Sequence, residues 1–325
     1  MIKEGSAGSH DPVGRRGSGG LVPVTRATRD GQPLSLNRAP APDIAPWIAR
    51  IMAIEVDAPT DSVVRGTMFN DSANVRLLLS GRWSADCADG HHRFNQHGER
   101  QALFFGAHSR AMPITVAGPF RVIGVSFRPG AEHVMSGPLP ATTMDRIVDY
   151  DEVVGHGRLG DRIDAGASGE AWALELEQIV REMIARRALS EPDPVTRAFD
   201  AHAFAAPEAP VAAFARSFGI EQKRLERIVK RDFGMTPKQV LRRARALDMA
   251  SQLLGVAAPD EADELALRYF DQSHQIRELS HFLGMTPQQL AVGSHPLLRI
   301  TLEGRQARRL EELHRIDPDG VRPWE

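Results

Sequence analysis

Val211-Ala-Ala-Phe-Ala-Arg-Ser-Phe-Gly219, Ile220-Glu221-Gln222 and Lys223-Arg-Leu-Glu-Arg-Ile-Val-Lys-Arg-Asp-Phe233 read in succession as helix, glycine turn and helix. Gly219 stands where the first helix must stop in a left-handed cap before the chain bends, as a helix-turn-helix requires. In the second helix Leu225, Ile228, Val229 and Phe233 recur on one face at helical spacing. Lys223, Arg224, Glu226, Arg227, Lys230 and Arg231 are left pointing outward. Long polar side chains on the exposed N-terminal half of such a helix can reach base edges in a major groove.

Downstream, Gly234-Met235-Thr236-Pro237-Lys238 predicts a new helix, with Thr236 as its cap and Pro237 at its first position. Run to about Leu254, roughly 18 residues span about 27 Å, which with packing on either side sets two units about one DNA turn apart. A second unit follows: Leu265-Ala-Leu-Arg-Tyr-Phe270, then Asp271-Gln-Ser-His-Gln-Ile-Arg-Glu-Leu-Ser-His-Phe282, then Gly284-Met285-Thr286-Pro287. The same tetrapeptide closes both units, 50 residues apart, which is hard to attribute to chance. From Glu221 to Arg243 eight basic residues (Lys223, Arg224, Arg227, Lys230, Arg231, Lys238, Arg242, Arg243) face three acidic ones (Glu221, Glu226, Asp232), although the whole chain carries a net charge of −2. Taken alone such a cluster reads as a solvated helix face. On a helix-turn-helix it becomes a footprint for a phosphate backbone.

On these residues the C-terminal third, about 192–290, closely resembles the DNA-binding domain of the AraC family of transcription regulators, two helix-turn-helix units joined by a long helix. The most specific parts are Tyr269-Phe-Asp-Gln-Ser-His274, Arg277-Glu278 and Phe282-Leu-Gly-Met-Thr-Pro287. The resemblance implies a sequence-specific regulator that binds double-stranded promoter DNA with two recognition helices in successive major grooves. Lys223, Arg224, Glu226 and Arg227 would read the first groove, and Gln272, Ser273, Ile276 and Arg277 the second. Asp271 would cap the second recognition helix, and Lys238 and Arg242 are expected on phosphate. Arg268, in place of a turn glycine, Gln275, in place of an apolar residue, and Leu279, in place of an aromatic, depart from the pattern and favour a phosphate-clamping second unit. Upstream, Phe127-Arg-Pro-Gly130, Thr142-Thr-Met-Asp145 and Val148-Asp-Tyr-Asp-Glu152 resemble an N-terminal domain joined to such units in a bacterial subfamily, where that position holds a ligand-sensing or dimerising module.

The rest of the chain predicts an α+β protein of two domains, with a β-rich barrel or sandwich-like domain preceding the all-α one. Residues 1–40, with Gly-Ser-Gly-Gly at 17–20 and no apolar period, read as a disordered arm. Strands are expected at 51–56, 63–69, 75–79, 102–105, 114–116 and 120–127, where β-branched and aliphatic residues alternate with turn signals. Glu170 to Arg187 reads as an amphipathic helix that buries Trp172, Leu176, Ile179, Val180 and Met183 and closes a domain over 41–190. Ser190-Glu191-Pro192-Asp193-Pro194 marks the boundary, because paired prolines disfavour helix. Residues 192–290 are the DNA-binding domain and 291–325 a C-terminal tail.

At 325 residues, 42% of them apolar and 25% charged, the chain is an ordinary globular protein too long for one domain. Its one cysteine, Cys87, fits a reducing cytoplasm and reads as an inert core residue rather than a redox sensor. No apolar run suits a signal peptide or a membrane span. His91-His92-x4-His97-x-Glu99 lies in a turn-rich stretch lacking the His-x-His pattern of a strand, so it reads as a solvated loop rather than a metal site. Trp47, Trp83 and Trp172 read as core. His274 and His281, on the second recognition helix, suit DNA contact or packing. No nucleophile elbow, phosphate loop or dinucleotide fingerprint is present, and no enzyme activity, catalytic residue, metal or cofactor is expected. Expected partners are double-stranded DNA and a second copy of the chain, with a small-molecule effector and RNA polymerase as further candidates and no membrane. Two rivals remain: an enzyme on the β-domain, for which no convergent titratable set is found, and a protein-interaction adaptor, which would not need paired recognition helices.

Overall fold

The computed structural model describes residues 36–135, 137–154, 159–257 and 272–315 and, before them, three two-residue strands; for those strands and for 272–275 it describes backbone only. Most of the expected arm, together with Asp271 and the signature residues 269–271, lies outside the described residues. The strands are β1 (Val22–Pro23), β2 (Arg26–Ala27), β3 (Pro33–Leu34), β4 (Leu36–Arg38), β5 (Ile48–Asp57), β6 (Val63–Met68), β7 (Asn74–Cys87), β8 (Gly90–Phe94), β9 (Gln101–Phe105), β10 (Met112–Phe127) and β11 (Ile147–Asp149). All but β2 and β3, which pair with each other, join one antiparallel sheet whose main path is β1-β5-β10-β7-β9-β11.

β10 is its axis, pairing β6 with its first half, β5 with its second and β7 along both. The sequence suggests two strands here, at 114–116 and 120–127. They are one strand, bent where Gly118 takes φ 78 and the register against β7 slips between Ala117 and Arg121. Glycine adopts that φ without steric cost, so the ladder resumes beyond the bend. Among the described residues β1 and β11 do not pair, so the sheet is open and sandwich-like rather than a closed barrel.

Both faces of the sheet are covered, which is why β5 is buried almost throughout. Its residues alternate: Ile51 and Ala53 join one apolar cluster, and Met52, Ile54 and Val56 the other. After α1 (Ala131–Val134), α2 (Pro140–Thr143), α3 (Tyr150–Val154) and α4 (Leu159–Arg162), the helix α5 (Gly169–Arg187) lays Trp172, Leu176, Val180 and Met183 on the first face. Its start is fixed by the Ser168 side chain, which accepts from the Ala171 amide. Trp47, Trp83 and Trp172 are all buried, as their apolar surroundings predict.

The second face is closed by a helix that the sequence reads as tail. The helical half comprises α6 (Pro194–Ala205), α7 (Val211–Ser217), α8 (Gln222–Phe233), α9 (Pro237–Leu253), α10 (Gln272–Leu283), α11 (Pro287–Val292) and α12 (Pro296–Glu312). α12 puts Leu297 and Ile300 into the sheet's second cluster, while Leu298, Leu302 and Leu310 pack with α9 and α10. Burying each of these side chains contributes about 1.5 to 3 kcal/mol. Its charges are paired as well: Arg305 donates to Asp248 (2.5 Å) and Asp71 (3.0 Å), Arg308 pairs with Asp200, and Arg128 of the sheet domain pairs with Glu312 (2.5 Å).

Candidate nucleic-acid interface

The first turn forms as the sequence requires. α7 ends in a bond from the Ile220 amide to the Ala215 carbonyl (2.9 Å), with Gly219 at φ 69. A Cβ on Gly219 would meet nothing within 4 Å, so the backbone angle alone demands glycine here. The chain then enters α8, which is sharply two-faced. Leu225, Ile228, Val229 and Phe233 are buried against Phe199, Phe214 and Val240. Lys223, Arg224, Glu226, Arg227, Lys230 and Arg231 are exposed. Arg231 is held by Asp232 (2.5 and 2.7 Å) and Asp193 (3.4 Å). Among the described residues Lys223, Arg224, Arg227 and Lys230 hold no ion pair, and the interaction resolved for Glu226 is a bond accepted from Gln222 (3.0 Å).

The repeated tetrapeptide is a repeated cap. Thr236 Oγ1 accepts from the Gln239 amide (3.4 Å) while Gln239 Oε1 accepts from the Thr236 amide (3.0 Å), with Pro237 opening α9. Thr286 and Gln289 repeat both bonds at 3.2 and 2.9 Å, with Pro287 opening α11. Gly234 and Gly284 take φ 68 and 67 at the preceding helix ends. α9, at 17 residues, is about 25 Å long.

Of the basic residues on α9, Lys238 is exposed, Arg245 donates to the Pro207 carbonyl (2.6 Å), and Arg242 and Arg243 turn inward. Arg242 donates to Glu278 of α10 (2.8 Å) and lies 5.6 Å from the Phe282 ring, so it braces the two units against each other. Arg243, counted in the basic cluster from sequence, is buried and donates to the backbone carbonyls of His108 (2.9 Å) and Asp71 (2.6 Å) in the sheet domain. On α10, Ile276 and Arg277 are exposed while Glu278, Leu279, Phe282 and Leu283 are buried. Leu279, the departure from an aromatic, is a fully enclosed core residue. Gln272 and Ser273 occupy the first turn of α10, and His281 is exposed on it. The exposed face of α8 therefore holds Lys223, Arg224, Glu226 and Arg227, and that of α10 holds Ile276 and Arg277; Lys238 is exposed at the start of α9, and Arg242 is turned to Glu278 instead.

Residues 214–291 match the family described as "Helix-turn-helix domain", and residues 37–149 match a "Domain of unknown function (DUF6597)". The C-terminal part of this chain is an AraC-type helix-turn-helix domain. Such a domain binds DNA in transcription regulation. Among solved structures, the chain is similar to ToxT from Vibrio cholerae, with 7% identity and a TM-score of 0.43 over 75% of this chain and 99% of that one. It is also similar to the C-terminal domain of AraT, a response regulator from Geobacillus stearothermophilus, with 18% identity and a TM-score of 0.28 over 31% and 87% of the two chains. The AraC-like transcriptional activator CuxR aligns with 15% identity and a TM-score of 0.28, over 61% and 76%. No curated protein matches the chain.

Among the described residues the AraC-type domain meets the sheet domain at its second unit, at α9 and at its first unit. At the second unit, Phe69, just after β6, stacks on Phe282 (6.1 Å between centroids), and the Ala111 amide donates to the Phe282 carbonyl (2.6 Å). At α9, Arg243 makes the two bonds already described. At the first unit, buried Asp232 accepts from Thr196 and Arg231, faces His133 (3.7 Å) and stands against Gly130. Next to it Glu132 is buried, and burial, then the nearby Asp232 charge, push its carboxyl up to about 8.

The histidine stretch of the sheet domain is a correction. Gly90–Phe94 is strand β8, paired with β7 through a two-residue turn, not a solvated loop. His91 and His92 alternate in sequence along it; His91 pairs with Asp86 (2.7 Å) and His92 with Asp89 (3.0 Å). His97 and Glu99 are exposed beyond the strand. Cys87 is half-buried and lines a cavity of about 350 Å³ with Ser109, Ala111, Met112 and Asp145. Burial pushes its thiol up to about 11, against the low-pKa profile of a reactive sensor thiolate. Among the described residues no helix is long and apolar enough to cross a membrane.

Proposed function

We propose that the chain is a sequence-specific transcription regulator that grips double-stranded promoter DNA with α8 and α10 in successive major grooves. The observation that carries this is the division of α8: one face locked into a core and the other presenting four cations without ion pairs, while Arg305 and Arg308 of α12 are each held by a carboxylate. Cations left free in this way are available to phosphates and base edges. Lys223, Arg224, Glu226 and Arg227 read the first groove; Gln272, Ser273, Ile276 and Arg277 face the second; Lys238 sits on phosphate. Arg242 acts as a brace and contributes to DNA binding only by holding α10 in place. The protein works in the cytoplasm as a dimer, in which two copies double the number of grooves engaged.

Effector control is supported by a cavity of about 50 Å³ between the sheet and α12. Arg76, buried at its wall, donates among the described residues to neutral acceptors: Asn74 (2.8 Å), the Met68 sulfur (3.1 Å) and Asn70 (3.2 Å). Burial lowers its pKa to about 9. A buried cation without a carboxylate is costly, and a small anionic effector at the seam would offset that cost.

The test is fluorescence anisotropy of the full-length protein on the DNA upstream of its own gene and on a scrambled duplex, at two salt concentrations. Tighter binding to the upstream DNA that persists at the higher salt is expected. Equal binding to both duplexes removes sequence reading, and no binding with or without small carboxylates removes the regulator altogether.

A further inference from the structure

Outside the DNA-binding face, one set of side chains has the composition of a metal site. Cys87 ends β7, Asp89 lies in the two-residue turn and His92 stands on β8, and the hairpin folds them together so that one ligand atom from each lies within 4.8 Å of the other two. Strand alternation explains why the set is Cys87 and His92 and not His91: Cys87 shares a face with Ala85, the register partner of His92, while His91 belongs to the other face with Asp86.

We propose that Cys87, Asp89 and His92 form a site for a thiophilic divalent cation of the Zn²⁺ class. Thiolate sulfur, imidazole nitrogen and carboxylate oxygen together suit Zn²⁺ rather than Mg²⁺ or Ca²⁺, which take oxygen ligands. The geometry is close to what the ion needs. With bonds of about 2.3 Å to sulfur and about 2.0 to 2.1 Å to nitrogen and oxygen, a tetrahedral ion holds its ligand atoms about 3.4 to 3.6 Å apart. His92 Nε2 and Asp89 Oδ1 are already 3.0 Å apart. The three groups therefore reach the ion by side-chain movements on the order of 1 Å, without moving the hairpin. Three protein ligands leave a fourth position open, the arrangement of a site that can also take water or a small ligand.

The position connects the site to the rest of the molecule. Cys87 lines the cavity of about 350 Å³ together with the segment 109–113, and Ala111 of that segment donates its amide to the Phe282 carbonyl of α10. Binding is a ligand exchange without redox change: the ion takes the Cys87 sulfur as thiolate, the thiol proton leaves to solvent, and the water on the ion is displaced. The ion also comes between the His92 and Asp89 atoms that are now hydrogen-bonded to each other.

The test uses the full chain, stripped with chelator and titrated with Co²⁺ as a spectroscopic probe. A near-ultraviolet sulfur-to-cobalt charge-transfer band that saturates at one ion per chain and is bleached by added Zn²⁺ is expected. Cys87→Ser removes the band, and His92→Gln weakens Co²⁺ binding by at least about tenfold, a scale at which even outer-shell changes to metal sites are felt. His91→Gln, on the other face of the same strand, leaves both band and affinity unchanged and controls for damage to the hairpin. No sulfur-to-cobalt band, or a band that His92→Gln leaves intact, overturns the proposal, as does an equal loss in His91→Gln.

Discussion

Arg305→Met is the substitution that most directly tests how the helical unit is held. Arg305 is 7% exposed and links Asp248 of α9 with Asp71 of the β6–β7 connection, at 2.5 and 3.0 Å. Asp248 is fully buried, and its other carboxylate oxygen has no hydrogen-bond partner. Methionine fills much of the arginine's volume, so the main loss is the charge. Removing one member of a buried pair costs about 3 to 5 kcal/mol, because the remaining carboxylate stays desolvated. At roughly 2 to 4 °C per kcal/mol for units of this size, calorimetry should show Tm falling by about 6 to 20 °C. Asp248→Asn in the same background should recover part of the fall, since an amide is cheaper to leave buried than a carboxylate. A Tm within about 2 °C of the parent protein, or a double substitution no better than the single one, would refute the buried-pair account.

The interface makes its own predictions. Arg227→Ala should cost about 1 to 3 kcal/mol on the preferred site and blur base preference there; titration against single-base variants of that site checks it, and unaltered preference excludes Arg227 from base reading. Lys238→Ala should weaken all duplexes alike and reduce the slope of log K against log salt by about 0.9, whereas Arg242→Ala should leave that slope unchanged and lower Tm instead. Glu132, held at about 8 against an ordinary value of 4.5, carries a proton when docked that it releases when exposed. Its contribution to docking is therefore complete below pH 4.5 and is lost as pH rises to about 8. Glu132→Gln should flatten the fall in Tm over that window and stabilise the protein at alkaline pH by about 1 to 3 kcal/mol; an unchanged Tm-against-pH curve would show that Glu132 is not buried in solution.

The helix-turn-helix was legible because its signals are local. Gly219, Gly234 and the two Thr-Pro starts punctuate an apolar period that needs no distant partner, and the structure adds only that Gln239 and Gln289 complete each cap. The strands are legible in type for the same reason, although the sequence suggests two strands at 114–116 and 120–127 where Gly118 bends a single β10. What the sequence hid depends on long-range pairing. Arg243 looks like its neighbours on a basic helix, but its acceptors are carbonyls more than 130 residues away. α12 falls in the stretch that reads as tail, and it is rich in charge, with Arg299, Glu303, Arg305, Arg308 and Arg309. Asp71, Asp200 and Asp248, which make a buried arginine tolerable there, come from three separate parts of the chain. In the histidine stretch the turn residues mask a short strand, and Cys87 and His92 come together only through the pairing of β8 with β7.

α12 shares its core with the helices of the matched domain. A fragment stopped at 295 would match the family over 214–291 yet lack Leu298, Leu302 and Leu310, which share a cluster with Leu247, Leu279 and Phe282. It would expose an apolar face along α9 and leave Asp248 without Arg305. The same helix sends Leu297 and Ile300 into the sheet, so α8 and α10, joined through α9, cannot swing on the sheet domain without withdrawing side chains from both cores. Any ligand that alters their spacing must bind the docked and undocked states with different affinity. The seam is the place where such a difference can arise, because there Phe69, Arg243 and α12 connect the sheet to α9 and to the second helix-turn-helix unit.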